Sequence, residues 1–197
     1  SQKLYENHAW QTLIRTILNN SKTEQPSYDF KQGLFNLSGE NKVDENSLIN
    51  IVQTCVAINN IGRSSRGYIL VGISETQATS DRLVRLFNIK PQEFNGFFIN
   101  GLDHEAKINS KDIDNYFLFI KQKIQSYSFT NALKQQILIY IALCSNNGLH
   151  VLKIEIKSVG QVCHFENKFY IRQGSSTECL EEGDEITALN ASYYSIS

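Results

Sequence analysis

The fold is decided by Glu24-Gln-Pro-Ser-Tyr-Asp29-Phe-Lys31 and Gly67-Tyr-Ile-Leu-Val-Gly-Ile-Ser-Glu75. In the first stretch, proline biases its neighbourhood toward extended backbone, and aromatic residues then alternate with Asp29 and Lys31. This alternation predicts a strand over roughly residues 27–35 with Asp29 and Lys31 on one face. The second stretch is a continuous apolar run bounded by glycines, which is typical of a central strand.

Periodicity along the rest of the chain predicts further helices and strands around this pair. Apolar residues at helical spacing predict helices over about 3–19, from about 45 to 58, and over 110–127 with Ser110 as the N-cap. Shorter helical segments are expected at 81–87 and 183–190, and residues 91–103 have an irregular pattern. Strands are predicted over 68–71, 136–144, 149–157 and 162–172, with tight turns at 146–148 and 166–167. The fold class is therefore α+β (mixed α/β), a mixed β-sheet flanked by helices.

Length, composition and charge set the limits on organisation and partners. The chain has 197 residues, of which 41% are hydrophobic, and this is enough for one compact domain. The expected division is an N-terminal helix over 1–22, the main domain over 23–182 and a short C-terminal helix or tail over 183–197. Lysine and arginine (19) balance aspartate and glutamate (20), which excludes a strongly basic, histone-like binder. A local basic patch assembled by folding remains compatible with nucleic acid.

The cysteines and the chain start favour a cytoplasmic protein. Cysteines occur at 55, 144, 163 and 179 without a C-x-x-C spacing, so free thiols in a reducing compartment are expected. Residues 1–20 lack the apolar core of a secretory signal, and no apolar run is long enough for a membrane span. The sequence contains no methionine, which favours a module of a larger protein. The four histidines are scattered and have no metal-ligand or triad spacing.

Four blocks of the sequence occur in an order that resembles the Schlafen-type AlbA-like domain. They are Tyr28-Asp29-Phe30-Lys31, Ala57-Ile-Asn59, Gly67-Tyr-Ile-Leu-Val-Gly72-Ile and Tyr170-Ile-Arg172-Gln-Gly174-Ser-Ser-Thr177. The resemblance covers roughly residues 24–180. Three acids are kept with altered neighbours or lengths: Glu24 is followed by Gln25 where the family has serine, Asp29 replaces glutamate, and Glu75 replaces aspartate.

The resemblance implies a metal-dependent endoribonuclease that cleaves structured RNA such as tRNA. Glu24, Asp29 and Glu75 would be the catalytic acids and the ligands of Mg²⁺ or Mn²⁺, which prefer hard oxygen donors. A metal held in this way polarises a phosphoryl oxygen and generates a nucleophile from water. Lys31, on the face of Asp29, would stabilise the developing charge. The alternative is a non-catalytic nucleic-acid-binding regulatory module of a larger bacterial protein, which needs no cofactor.

Basic and small polar residues supply candidate contacts to nucleic acid. The set comprises Lys31, Arg63, Arg66, Lys153, Arg172, Ser175 and Ser176. Guanidinium groups clamp phosphate through two hydrogen bonds, and lysine acts as a point charge. Arg172 has a second interpretation, in which it pairs with an internal carboxylate beside a plain turn. The expected partner is nucleic acid, RNA in preference to DNA, together with other domains of a parent protein or a second copy of the chain. No membrane partner is expected.

Overall fold

The computed structural model describes the backbone of residues 2–195 and the side chains of residues 8–195. The first half of the chain contains α1 (Gln2–Asn20), a 3₁₀ turn (Gln25–Ser27), β1 (Tyr28–Lys31), α2 (Glu45–Asn59), β2 (Arg66–Val71), β3 (Ile73–Ser74), α3 (Gln77–Phe87), β4 (Gln92–Phe94) and β5 (Phe97–Ile99). The second half contains α4 (Asp103–Ile108), α5 (Ile113–Ser126), α6 (Asn131–Tyr140), β6 (Ala142–Asn146), β7 (Leu149–Lys157), β8 (Phe169–Gln173), β9 (Ser176–Leu180) and α7 (Gly183–Tyr194).

A four-stranded sheet in the order β1-β2-β7-β6 forms the centre of the molecule. β1 runs parallel to β2, with Asp29 opposite Ile69, and the remaining pairs are antiparallel. β1 is therefore an edge strand with one unpaired side. A three-stranded sheet in the order β3-β5-β4 follows the carboxyl end of β2, and β8 and β9 form a separate hairpin.

The two faces of the main sheet are covered by different helices. α1 packs Ile14 and Leu18 onto one face, where Tyr28, Phe30 and Leu70 point. The opposite face packs against α2, α5, α6 and the β8–β9 hairpin. Its buried residues include Leu48, Val52, Val56, Ile69, Val71, Ile120, Leu133, Ile137, Leu152, Ile154 and Phe165. β1 is shorter than the strand predicted over 27–35, since it ends at Lys31. Its alternation is as predicted, because Tyr28 and Phe30 are buried while Asp29 and Lys31 are half-buried on the other face.

Two glycines in the second deciding stretch allow close approaches of the backbone. A Cβ atom on Gly67 would lie 2.2 Å from the Ser27 carbonyl oxygen, so only glycine fits beside the 3₁₀ turn. Gly72 has φ +110°, a conformation that side chains rarely adopt, and packs against Gly101. These two residues bring β1 and the segment after β5 against β2.

The structure confirms the α+β class and several elements, and it corrects others. α1, α2, the 146–148 turn and β7 lie where they were predicted. The strand predicted over 136–144 was wrong in its first half: α6 ends at Tyr140, because Leu133, Ile137 and Ile141 face the core at helical spacing. β-branched residues there favour a strand locally, and packing overrides that preference.

Three further corrections concern turns and caps. The N-cap of α5 is Asp112, whose side chain accepts a hydrogen bond from the Asn115 amide, and Ser110 lies in the preceding turn. Residues 91–103, expected to be irregular, contain the β4–β5 hairpin around Asn95-Gly96, which is a strong hairpin signal. The strand predicted over 162–172 is restricted to β8.

The segment that was expected to close the domain is structured. Gly174 and Ser175 turn β8 into β9, and α7 extends beyond the predicted 183–190. All four cysteines are free, as expected. Among the described residues, none of the helices combines the length and apolarity of a membrane-spanning segment.

Candidate functional site

A cleft runs along the unpaired edge of β1 and has a volume of about 240 Å³. Its floor is β1, one wall is formed by the end of α1 together with β5, and the other wall carries the tip of the β8–β9 hairpin. The lining residues are Ser21, Lys22, Gln25, Tyr28, Asp29, Phe30, Glu75, Phe97 and Ser175. Residues far apart in the sequence therefore meet at one place.

Asp29 and Lys31 form an ion pair on the α2-facing side of β1. Lys31 Nζ lies 3.4 Å from Asp29 Oδ2, and the Asp29 side chain is 14% exposed. That oxygen is shielded from solvent and accepts no hydrogen bond from any residue that the structure describes. Asp29 is thus only partly satisfied, with a cation beside it and hydrogen-bonding capacity left over.

Glu75 follows β3 and shares the electrostatic environment of Asp29. Partial burial raises the pKa of Glu75, repulsion from Asp29 adds to this, and Lys31 and Arg172 oppose it. The side chain is exposed on the open side of the cleft. Glu75, Asp29, Lys31 and Arg172 consequently behave as one group of interacting charges.

Glu24 lies outside the group of described residues that line the cleft. It is exposed and precedes the 3₁₀ turn. Its charge acts on Tyr28: burial raises the pKa of the Tyr28 hydroxyl, and Glu24 raises it further. The structure therefore places Asp29 and Glu75 in one lining, together with Tyr28, on whose hydroxyl the charge of Glu24 acts.

The three predicted acids do not form a ready metal site. Among the described side chains, no three histidine, cysteine, aspartate or glutamate residues are grouped so that they could hold a metal ion. Asp29 is instead engaged by Lys31, and Glu24 is not among the residues that line the cleft. The donor set does not fit the three-carboxylate metal centre, so no catalytic step through a metal follows from this arrangement. The catalytic assignment of Glu24, Asp29, Glu75 and Lys31 stays a prediction.

Arg172 reaches from β8 to the backbone at the edge of β1. Its Nε donates to the Pro26 carbonyl at 2.9 Å and its Nη2 to the Tyr28 carbonyl at 2.7 Å. Its Nη1 donates to Thr177 Oγ1 at 2.9 Å. Neither of the sequence interpretations included this arrangement, in which the guanidinium binds main-chain oxygens. Ser175 and Ser176 lie exposed at the hairpin tip, and Ser175 lines the cleft.

The remaining predicted nucleic-acid contacts lie elsewhere. Arg63 lines a second cavity between the α2–β2 loop and α7, and Arg66 begins β2. Both lie at the end of β2 opposite to Glu75, about 20 Å away for a six-residue strand. Lys153 is only 9% exposed, and its Nζ lies 5.5 Å from the Trp10 ring centroid on the α1 face. The assignment of the buried Lys153 as a nucleic-acid contact stays a prediction.

Two cleft residues were missed by the sequence reasoning. Lys22 donates to the Asn95 carbonyl at 2.7 Å, and its Nζ lies 5.7 Å from the Phe97 ring centroid. Phe97 in turn packs on Phe30 with ring centroids 5.1 Å apart. A lysine in the loop after a predicted helix is ordinary in sequence, and β5 was expected to be irregular. The Asn95-Gly96 hairpin signal would have pointed to this wall of the cleft.

A buried carboxylate outside the cleft was also missed. Glu105 is 0% exposed and accepts hydrogen bonds from the Leu34 amide at 2.9 Å, the Phe35 amide at 3.3 Å and the Tyr116 hydroxyl at 2.8 Å. Burial raises the pKa of Glu105 to about 7, although these hydrogen bonds lower it. The carboxylate secures the loop that follows β1, so its role is structural.

Comparisons with known proteins define the class to which this fold and cleft belong. The family model described as Schlafen, AlbA_2 matches residues 24–181. The chain therefore belongs to the Schlafen AlbA_2 family, and this membership indicates a nucleic-acid-related domain. A search of the curated proteins gives no match.

Among solved structures, the chain is similar to the DIP2311 protein from Corynebacterium diphtheriae. The two are 14% identical with a TM-score of 0.49. The match covers 98% of this chain and 33% of the other, so the chain spans a third of that protein's length.

Proposed function

We propose that the chain is a nucleic-acid-binding module whose β1-edge cleft holds a single strand of RNA and does not cleave it. The observation that supports this best is the cleft that Lys22 lines together with Asp29 and Glu75, two acids that also interact with Lys31 and Arg172. Three cations in this region face three acids, because the charge of Glu24 also reaches Tyr28 in the cleft lining. Lys22 is exposed, and an exposed cation attracts phosphate without a basic surface overall.

The acids favour RNA over DNA. Ionised carboxylates only accept hydrogen bonds, so they repel phosphate and match sugar hydroxyls or base amino groups. RNA offers a 2′-hydroxyl donor that DNA lacks. The exposed carboxylate of Glu75 therefore suits the ribose side of a strand whose phosphates lie near Lys22. Phe97, beneath Lys22, offers an aromatic surface for base contact.

Fluorescence anisotropy with labelled single-stranded RNA, tRNA and DNA of matched sequence tests this function. Binding should weaken with salt, and RNA should bind more tightly than DNA. Lys22→Glu should weaken binding and reduce the slope of log affinity against log salt by about 0.7–1, the loss of one phosphate contact. Lys107→Glu, the same charge change at an exposed position on α4, is the matched control. Equal effects of the two variants, or no binding, would overturn the proposal.

The same RNA incubated with Mn²⁺ or Mg²⁺ tests the nuclease alternative. The expected result is intact RNA at high protein concentration. Cleavage that disappears in both Asp29→Asn and Glu75→Gln would replace the binding-only function with the endoribonuclease. Cleavage that also disappears in Glu24→Gln would further indicate that the three acids act together.

A further inference from the structure

The edge of β1 is closed by an arginine where a sheet would ordinarily have another strand. Carbonyls alternate between the two sides of a strand. Lys31 O accepts from the Gly72 amide on the β2 side, so Tyr28 O, three residues earlier, points to the unpaired side. There it accepts from Arg172 Nη2 at 2.7 Å. Arg172 thus satisfies a carbonyl that an edge strand would leave open.

The same guanidinium also fixes the approach to the strand. Its Nε donates to Pro26 O at 2.9 Å, so it binds two carbonyls that flank the start of β1. Thr177 Oγ1 accepts from Nη1 and lies 2.7 Å from Thr54 Oγ1 on α2. The planar fork of arginine suits three such acceptors, whereas a lysine ammonium has neither the reach nor the geometry for all of them.

The hairpin that carries Arg172 is itself anchored in the core. Asn60, at the end of α2, is 4% exposed. Its Nδ2 donates to the carbonyls of Tyr170 and Cys163, each at 3.0 Å. Its Oδ1 accepts from the Cys163 amide at 2.8 Å. A continuous set of hydrogen bonds therefore runs from α2 through β8 to the strand that bears Asp29.

We infer that Arg172 is a positioning residue, which holds β1 so that Asp29 and Lys31 face Glu75 across the cleft, and that it is not a phosphate contact. This inference rests on the proposed function of the cleft. The inference gives residues 170–177 a role in assembling the site. Ser175 lies at the rim of the cleft because it belongs to the same hairpin as Arg172. Burial lowers the pKa of the Arg172 guanidinium, and Asp29 and Glu75 lie close enough to oppose this effect.

Salt-dependent binding separates a positioning residue from a contact. Arg172→Lys keeps the charge and loses the fork, and we expect about tenfold weaker RNA binding with an unchanged salt slope. Lys22→Glu is the comparison in which the slope changes. The inference would be overturned if the Arg172→Lys variant bound RNA as tightly as wild type does. A salt slope of smaller magnitude in this variant would also overturn it.

Backbone NMR gives a readout that does not require RNA. Amide shifts and hydrogen-exchange rates of residues 28–31 should change in Arg172→Lys and stay as in wild type in Lys22→Glu. If wild type fails to bind RNA, the proposed function fails, and these spectra still test the positioning role. Unchanged spectra of residues 28–31 would refute that role.

A milder variant covers the case in which Arg172→Lys does not fold. Thr177→Val removes one acceptor of the guanidinium and leaves both carbonyl contacts. We expect it to weaken binding about threefold without a change in salt slope, in line with the loss of one hydrogen bond. Wild-type affinity together with wild-type amide exchange in β1 would count against the inference.

Discussion

Two acidic regions of this molecule show opposite ways of holding a carboxylate. Glu105 is fully buried, and its oxygens are satisfied by two amides and a tyrosine hydroxyl. Asp29 and Glu75 lie at an open cleft, where Asp29 has a lysine at 3.4 Å and an oxygen without a hydrogen bond from the described residues. Neutral donors satisfy the Glu105 carboxylate, whereas Asp29 keeps an oxygen that accepts no hydrogen bond from the described residues.

The contrast between Glu105 and the pair Asp29 and Glu75 shows that a shifted pKa alone does not identify a functional carboxylate. The pKa of Glu105 is raised to about 7, yet the carboxylate has no cleft to serve and secures a loop. The candidate for function is the pair Asp29 and Glu75, which interact electrostatically with each other and with neighbouring cations. Perturbed carboxylates mark sites only together with access and unsatisfied groups.

The largest expected effect is the loss of stability when Glu105 is removed. Glu105→Leu leaves the Leu34 and Phe35 amides and the Tyr116 hydroxyl without their acceptor in a dry interior. Each unsatisfied buried group costs about 1–3 kcal/mol, so the free energy of unfolding should fall by about 3 kcal/mol or more. Urea denaturation measures this change. Glu93→Gln, at an exposed acid, is the control, and a Glu105→Leu loss as small as that control would contradict the structural role.

The pH dependence of stability is the next largest effect. In the unfolded chain Glu105 titrates near its ordinary value of 4.5, and in the folded chain near 7. The folded state therefore binds more protons at Glu105 between these values, so the contribution of Glu105 to the free energy of unfolding falls as pH rises from about 4.5 to about 7 and levels off above that. Burial lowers the pKa of His104 from 6.5 to about 4, so His104 contributes in the opposite sense between those two values. The shift corresponds to a change on the order of 3 kcal/mol.

Glu105→Gln should remove this dependence. The amide oxygen can accept from Leu34 and Phe35, and the amide nitrogen can donate to Tyr116, as a protonated carboxyl would. The urea midpoint of wild type relative to that of the variant should fall from pH 5 to pH 8, since the contribution of His104 is common to both proteins. Parallel curves for the two proteins would show that another group causes the dependence.

Asp29 and Glu75 could be predicted from the sequence, whereas Glu105 could not, and the reason is physical. Asp29 and Glu75 stand at the ends of strands that period-two alternation and an apolar run make recognisable. Glu105 depends on partners 71 and 11 residues away, in a loop and on another helix. Its neighbours give no local pattern, since a glutamate in the first turn of a short helix looks like ordinary capping.

The fold shows the same difference between features with a local sequence pattern and features that depend on residues far apart in the sequence. Long amphipathic segments and the Asn146-Gly148 region could be predicted because their signals are local. α6 could not, since residues 136–140 prefer a strand locally and the helix is imposed by packing of Leu133 and Ile137 on β7. The backbone role of Arg172 was equally invisible, because its acceptors are carbonyls 144 and 146 residues away.

Removing the charge of Asp29 should have a much smaller effect on stability than removing Glu105. Asp29→Asn keeps the shape and loses a partly exposed ion pair, which contributes about 0–1 kcal/mol. Urea denaturation should show a change within that range. In the anisotropy assay, affinity for RNA and for DNA should rise to a similar extent, because both carry phosphates that the Asp29 charge repels. A stability loss comparable to that of Glu105→Leu would erase the contrast between the regions.

The smallest expected effect is a change in the pKa of Glu75, which tests which acids interact with one another. The pKa of Glu75 is raised by burial and by Asp29. Asp29→Asn should therefore lower the pKa of Glu75, measured by side-chain carboxyl NMR titration. Glu24→Gln is the matched control, because Glu24 acts on Tyr28 and lies outside the lining of the cleft. If Glu24→Gln shifts the titration of Glu75 as much as Asp29→Asn does, the three acids form one cluster, and the metal-binding arrangement regains its support.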